Sequence, residues 1–220
     1  MKAKKLIFAA LLTAVLASAA GAAGLKSLVS ASKTAQKTDQ IILVVDHNMT
    51  FWTKGESGEW SKEMDRKCGY GKKGMIRAAA KREGDVKTPI GAFPILHAFG
   101  RKANPGTQMA WKEVTPNSYW ADDVKVPATY NTWVESAAKI GGEHLIDYYQ
   151  YDYAMAVGYN VNPRVTGAGS AIFVHVKATD HWTTGGCISL EKDAMIELLK
   201  RAKDGAWIII VKNAADVAKF

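Results

Sequence analysis

A histidine and a cysteine stand twelve residues apart (187 − 175 = 12) near the end of the chain. His175 follows the apolar run Ala171-Ile172-Phe173-Val174, and a polar loop leads on through Thr184-Gly185-Gly186 to Cys187. A free thiol ionises near pH 8.5 and needs a neighbouring base or cation to act as a nucleophile at neutral pH. A histidine folded alongside it supplies that base. Two glycines in a row permit a sharp turn and a close approach of backbone to substrate. Successive N–H groups at Gly186 and Cys187 would then face a developing oxyanion, a contribution of about 10²–10³ in rate in known cases. The combination points to acyl transfer through a thioester. The plainer alternatives are a small buried cysteine and a structural histidine. A zinc site is the chemical rival: His175, His181 and Cys187 are evenly spaced (181 − 175 = 6 and 187 − 181 = 6), and His2Cys is a known ligand set. Zinc sites commonly use closer ligand pairs, so the reading taken is a thiol site with no metal and no cofactor.

These residues need strands to hold them. Ile41-Ile42-Leu43-Val44-Val45 reads as a buried strand, with Phe51-Trp52-Thr53 as its partner across the turn-forming Asp46-His47-Asn48. Tyr153 to Tyr159 and Ala171 to Val176 read as strands, and Trp207 to Val211 closes the domain as another. Thr88 to Pro94 contains two prolines and reads as a turn or an edge strand. One helix is expected over Glu191 to Ala202, from Ala194, Met195, Leu198 and Leu199 at helical spacing, with Lys200 and Arg201 at its end. The expected class is mainly β, a β-rich α+β domain with few helices. The basic stretch from Lys62 to Lys81 reads as a solvated loop face.

The chain has 220 residues, with 29 Lys and Arg against 21 Asp and Glu, a net charge of +8. Lys2, Lys4 and Lys5 precede the apolar run Leu6 to Leu16 and a small-residue stretch, the layout of a secretory signal peptide over residues 1–22. Its loss would leave 26 − 21 = +5, and no membrane span is expected afterwards. Residues 23–40, rich in Ser, Thr, Lys and Ala, read as a flexible linker to a folded domain over 41–220. An exported protein with this modest charge is expected to meet an anionic wall polymer and not nucleic acid. Of the two cysteines, Cys68 is expected to be buried and not bridged to Cys187, because a disulfide would silence the nucleophile.

The segment from His175 to Cys187 resembles the catalytic stretch of the L,D-transpeptidase (YkuD-type) family: a His, a variable loop, then Ser/Thr-x-Gly-Cys. Upstream, Lys81-Arg82-Glu83-Gly84-Asp85 and Thr88-Pro89-Ile90-Gly91-Ala92-Phe93 are similar to the family's K-x-x-G-D and T-P-x-G-x-[FY] segments. Gly142-Glu143-His144-Leu145, Tyr159-Asn160 and Gly169 to Phe173 resemble one of its branches. The resemblance implies an L,D-transpeptidase-like β-sandwich and an exported, periplasmic or envelope enzyme that uses peptidoglycan stem peptides as partners. It implies a Cys187 acyl-enzyme, with His175 as base oriented by a backbone carbonyl and Gly186 in the oxyanion turn. It places Thr184, Gly185, His144, Asn160 and Ser189 near the substrate. An amine acceptor would make the product a wall cross-link. The alternatives are a cysteine hydrolase (an L,D-carboxypeptidase or an amide-cleaving enzyme) and a non-catalytic wall-binding protein. Two departures stand out: Thr184 where Ser is common, and Ser189 where the family commonly carries Arg.

Overall fold

The computed structural model describes residues 24–220. The expected signal peptide lies outside the described residues. Among them, no helix is long and apolar enough to cross a membrane.

The strands, in chain order, are β1 (Gln40–Val45), β2 (Asn48–Lys54), β3 (Trp60–Lys67), β4 (Met75–Arg77), β5 (Thr88–Gly100), β6 (Trp111–Glu113), β7 (Ser118–Ala121), β8 (Thr132–Glu135), β9 (Gly142–His144), β10 (Ala154–Val157), β11 (Phe173–Val176), β12 (Ile188–Leu190) and β13 (Trp207–Val211). Ten of them form a curled sheet with the path β12-β11-β10-β5-β13-β1-β2-β3, to which β4 and β6 add by pairing with β5. The order β8-β7-β9 makes a separate small sheet. The domain is mainly β, as its sequence indicates.

The period-2 alternation of a strand sorts β1 and β13 between two cores. Ile42, Val44, Ile208 and Ile210 face one core, which is completed by Ala194, Met195, Leu198 and Leu199 of the helix Lys192–Arg201. That helix falls within one residue of its expected bounds, with Asp193 in its first turn and Lys200 and Arg201 in its last, which suits the helix dipole. Ile41, Leu43, Ile209 and Val211 face the opposite way and need a second cover. Helical turns over residues 24–31 provide it: Leu25, Leu28 and Val29 recur at i, i+3 and i+4 and pack on this face, and Val29 is fully buried. The Thr34 N–H also bonds Phe220 O at 2.9 Å. The expected flexible linker is therefore corrected for the described part of 23–40. Three apolar residues in a polar stretch are enough to order it, because both faces of β1 and β13 are apolar.

Thr88 to Pro94 is corrected too. It opens the longest strand of the sheet, and that strand is central. Gly91 to Pro94 pair antiparallel with β13, whereas Ile95 to Phe99 pair with β10. Pro94, which has no N–H to give, sits where the strand changes partners; its carbonyl still accepts the Gly158 N–H at 2.7 Å. The 62–81 stretch also departs from a solvated loop. Trp60–Lys67 is a strand, and the residues after it run alongside the Cys187 loop.

Candidate active site

The parallel pairing of β11 with β12 puts His175 opposite Ser189 and Val174 opposite Ile188. Cys187 lies one residue before that ladder, beside Phe173, whose N–H reaches its Sγ at 3.3 Å. The thiol is 3.2 Å from Ala171 O, the acceptor for its proton. Ala171 is held in the left-handed region (φ 51°), an uncommon conformation for a residue with a Cβ. Buried Asn131 fixes it. Asn131 Oδ1 accepts the Ala171 N–H at 3.1 Å and the Trp120 indole N–H at 2.9 Å, while Nδ2 donates to Tyr159 O and Asn160 O.

His175 is buried, and its Nδ1 lies 2.8 Å from Val176 O. A carbonyl only accepts, so the proton is on Nδ1 and Nε2 carries the lone pair. The ring of Tyr151 meets the imidazole edge-on, 5.6 Å between centroids. Burial lowers the His175 pKa to about 4, against a raising contribution from the Val176 carbonyl. Burial also raises the Cys187 thiol to about 12, helped by the charge of Glu143 and opposed by the Phe173 N–H and Lys81. At neutral pH the resting pair is thus an uncharged thiol and an uncharged imidazole.

Both side chains line a cleft of about 600 Å³, together with Thr184, Gly185, Gly186, Tyr151 and Glu143. The turn before Cys187 is tied on two sides. The Thr184 hydroxyl donates to Cys187 O at 2.7 Å and accepts the Gly186 N–H at 3.1 Å. Buried Thr88, from the Thr-Pro-Ile-Gly segment, donates from Oγ1 to Gly186 O at 2.7 Å and accepts the Gly71 N–H at 2.9 Å. The expected pair of free oxyanion donors is therefore not present as such: the Gly186 N–H is taken by Thr184. Gly186 itself has φ 151°, and a Cβ there would come within 3.0 Å of Lys87 O.

The segment after β3 completes the frame. Gly69 and Ser189 exchange backbone hydrogen bonds at 2.9 and 3.0 Å, and Thr184 and Tyr70 are joined by another at 3.1 Å. Ser189 is buried and donates its hydroxyl to Trp182 O at 2.6 Å. It braces the loop that leads to Cys187 and is not among the residues lining the cleft, where the resemblance places it. His144 is likewise outside the cleft. Its ring stacks on Tyr119, with Nε2 bonded to Pro116 O at 2.8 Å and Nδ1 to Asp147 at 3.0 Å. Asn160 closes the loop to Gly169, donating to Val165 O and Gly169 O and accepting the Val165 N–H. These two are expected near substrate because their segments resemble a branch of the family; strand alternation sends Glu143 inward and His144 away.

Lys81 belongs to one of the family-like segments, although the sequence assigns it no role. Its side chain is buried in the cleft wall and pairs with Asp85 at 2.7 Å. Burial works to raise the Asp85 pKa, but hydrogen bonds from Lys81 and from the Arg82 and Lys87 N–H groups hold it below the usual value. Tyr151 and Asn131 carried no sequence signal. His181 lines the cleft, whereas the ammonium groups of Lys67 and Lys177 lie 4.8 and 5.4 Å from the centroid of the Trp182 ring. Among the described residues, no three His, Cys, Asp or Glu side chains gather to hold a metal. Both cysteines are free and buried, and Cys68 is held to Asp46 O at 3.6 Å.

Comparison with known proteins places the family. The family model of the L,D-transpeptidase catalytic domain (YkuD) matches residues 39–210. Similar solved structures include the helical cell shape determining protein Pgp2 (K307A mutant) from Campylobacter jejuni, 19% identical with a TM-score of 0.45 over 83% of this chain and 53% of that one. Bd1075 of Bdellovibrio bacteriovorus is 16% identical with a TM-score of 0.45, over 86% of this chain and 55% of the other. L,D-transpeptidase 1 of Mycobacterium tuberculosis is 14% identical with a TM-score of 0.38, over 79% and 62%. The chain spans little more than half the length of these structures. No curated protein matches it.

Proposed function

Because the chain belongs to the L,D-transpeptidase catalytic-domain family, we propose that it is an exported peptidoglycan L,D-transpeptidase working through a Cys187 thioester. The observation that carries this reading is the presence of Cys187 and a histidine of set tautomer in one cleft. Val176 O holds the Nδ1 proton, which leaves Nε2 to act as base.

In the first half-reaction, His175 Nε2 takes the thiol proton as Sγ attacks a stem-peptide carbonyl carbon. Since the resting pair is uncharged, proton transfer and attack are coupled. The carbonyl π electrons move onto oxygen, towards the backbone of the Cys187 turn. The tetrahedral adduct then collapses and the C–N bond to the terminal D-amino acid breaks. Imidazolium gives its proton to the departing nitrogen, so His175 is again neutral and the donor is held as a thioester. In the second half-reaction an amine of a neighbouring stem attacks the thioester carbonyl and the C–S bond breaks, leaving an amide cross-link.

Mass spectrometry of muropeptide monomers incubated with the protein tests this reading. Dimers lighter by the leaving D-amino acid are expected from the wild type, and none from Cys187→Ala or His175→Ala. Shortened monomers without dimers would make it a hydrolase. No product from tri-, tetra- or pentapeptide stems would favour the wall-binding reading, and activity retained in Cys187→Ala would refute the thioester.

A further inference from the structure

Proton counting leaves a gap in the chemistry above. An acceptor ammonium, R–NH3+, becomes an amide R–NH–CO and so loses two protons. One ends on the Cys187 sulfur, carried by His175. The other needs a second base.

Glu143 lines the same cleft as Cys187 and His175. It projects from β9, at the edge of the small sheet, opposite Trp120 and into the cleft that holds Cys187 and His175. Its Oε2 accepts the hydroxyl of Tyr151, whose ring packs against His175. Its Oε1 makes no hydrogen bond among the described residues, and no cation there forms an ion pair with it. A half-buried carboxylate that faces a cleft with no ion-pair partner among the described residues is stabilised when a cation enters. The incoming acceptor is such a cation. We infer that Glu143 binds the acceptor ammonium and takes its first proton, an inference that rests on the transpeptidase reading.

The step then balances. Glu143 carboxylate and R–NH3+ become carboxylic acid and R–NH2. The amine lone pair attacks the thioester carbon, giving a tetrahedral adduct with a protonated nitrogen. His175 Nε2 removes the second proton, the C–S bond breaks, and imidazolium returns that proton to the thiolate. Glu143 releases its own proton to water. Its surroundings suit a base of this kind, since burial raises Glu143 to about 7, opposed by the Tyr151 hydroxyl and reinforced by Asp122 and Glu83. A general base works best near the working pH. Cys187 and Tyr148 also feel its charge, and both are themselves raised, chiefly by burial.

The test is to form the thioester on the purified chain with a donor stem peptide, remove excess donor, and add a stem peptide bearing a free amine. Intact mass then follows aminolysis across a pH series. Wild-type aminolysis is expected to climb with pH up to about 7 and then level, because ionised Glu143 and ammonium react together. In Glu143→Gln the rate at neutral pH should fall about 10²-fold, and it should rise about tenfold per pH unit with no break, following free amine of pKa about 10.4. Equal partition between aminolysis and hydrolysis in variant and wild type would overturn the role of Glu143 alone. If the variant forms no thioester, the wild-type profile decides, and an unbroken tenfold climb there overturns the inference. A wild type that forms no thioester overturns the transpeptidase reading, and this inference with it.

Discussion

Thr88 joins the Thr-Pro-Ile-Gly segment to the turn before Cys187, and replacing it by valine tests that connection. Valine has nearly the same shape, so no cavity opens. What goes is the hydroxyl, which donates to Gly186 O at 2.7 Å and accepts the Gly71 N–H at 2.9 Å, with Thr88 itself fully buried. Both partners are left buried and unpaired. Such a group costs about 1–3 kcal/mol, so two at about 1.5 each give a loss of about 3 kcal/mol. For a domain of this size that is a fall in Tm of about 6–12 °C, at about 2–4 °C per kcal/mol. The freed Gly186 carbonyl also loosens the turn into Cys187, and thioester formation should slow by about tenfold, as a modest misplacement of a reacting group does. Calorimetry and the rate of thioester formation measure the two effects. Thr88→Ser keeps the hydroxyl and should lose only about 1 kcal/mol for the missing methyl. A Thr88→Val protein melting within about 2 °C of wild type would refute the argument. So would a serine variant as damaged as the valine one.

The two cysteines should resist alkylation. Burial raises both thiols to about 12. Thiolate is therefore scarce at neutral pH, and iodoacetamide labelling of the native protein should rise with pH through pH 9 without a plateau; a labelling midpoint below pH 7 would show a thiolate–imidazolium resting pair instead. Gly69→Ala should displace the loop that leads to Cys187. A Cβ at Gly69 would sit 1.9 Å from Trp182 O and 2.5 Å from Ser189 Oγ, so the strand pairing must give way. Overpacking of this kind costs about 1–3 kcal/mol; loss of activity with a lowered Tm is expected, and an alanine variant with wild-type turnover would contradict the bracing role of Ser189.

The sequence alone determined a good deal. The β class and the helix near the C-terminus were legible, because periodicity and helix-end charges are local signals, and the sequence also singled out His175 and Cys187, which line one cleft. What it could not reveal depends on which surfaces meet. Leu25, Leu28 and Val29 look sparse until the outer faces of β1 and β13 demand a cover. Pro89 and Pro94 argue against a central strand unless the strand changes partners at Pro94. Ser189, placed by its distance from Cys187, turns under the loop to Trp182, while Asn131, fifty-six residues before Cys187 (187 − 131 = 56), holds the carbonyl-bearing residue that the thiol faces. Glu143 appeared in the sequence only as part of a family-like segment; its place in the cleft, with no ion-pair partner among the described residues, was not legible there. Pairing, burial and the absence of a counter-charge among the described residues are relations between distant segments, and only the tertiary structure brings those segments together.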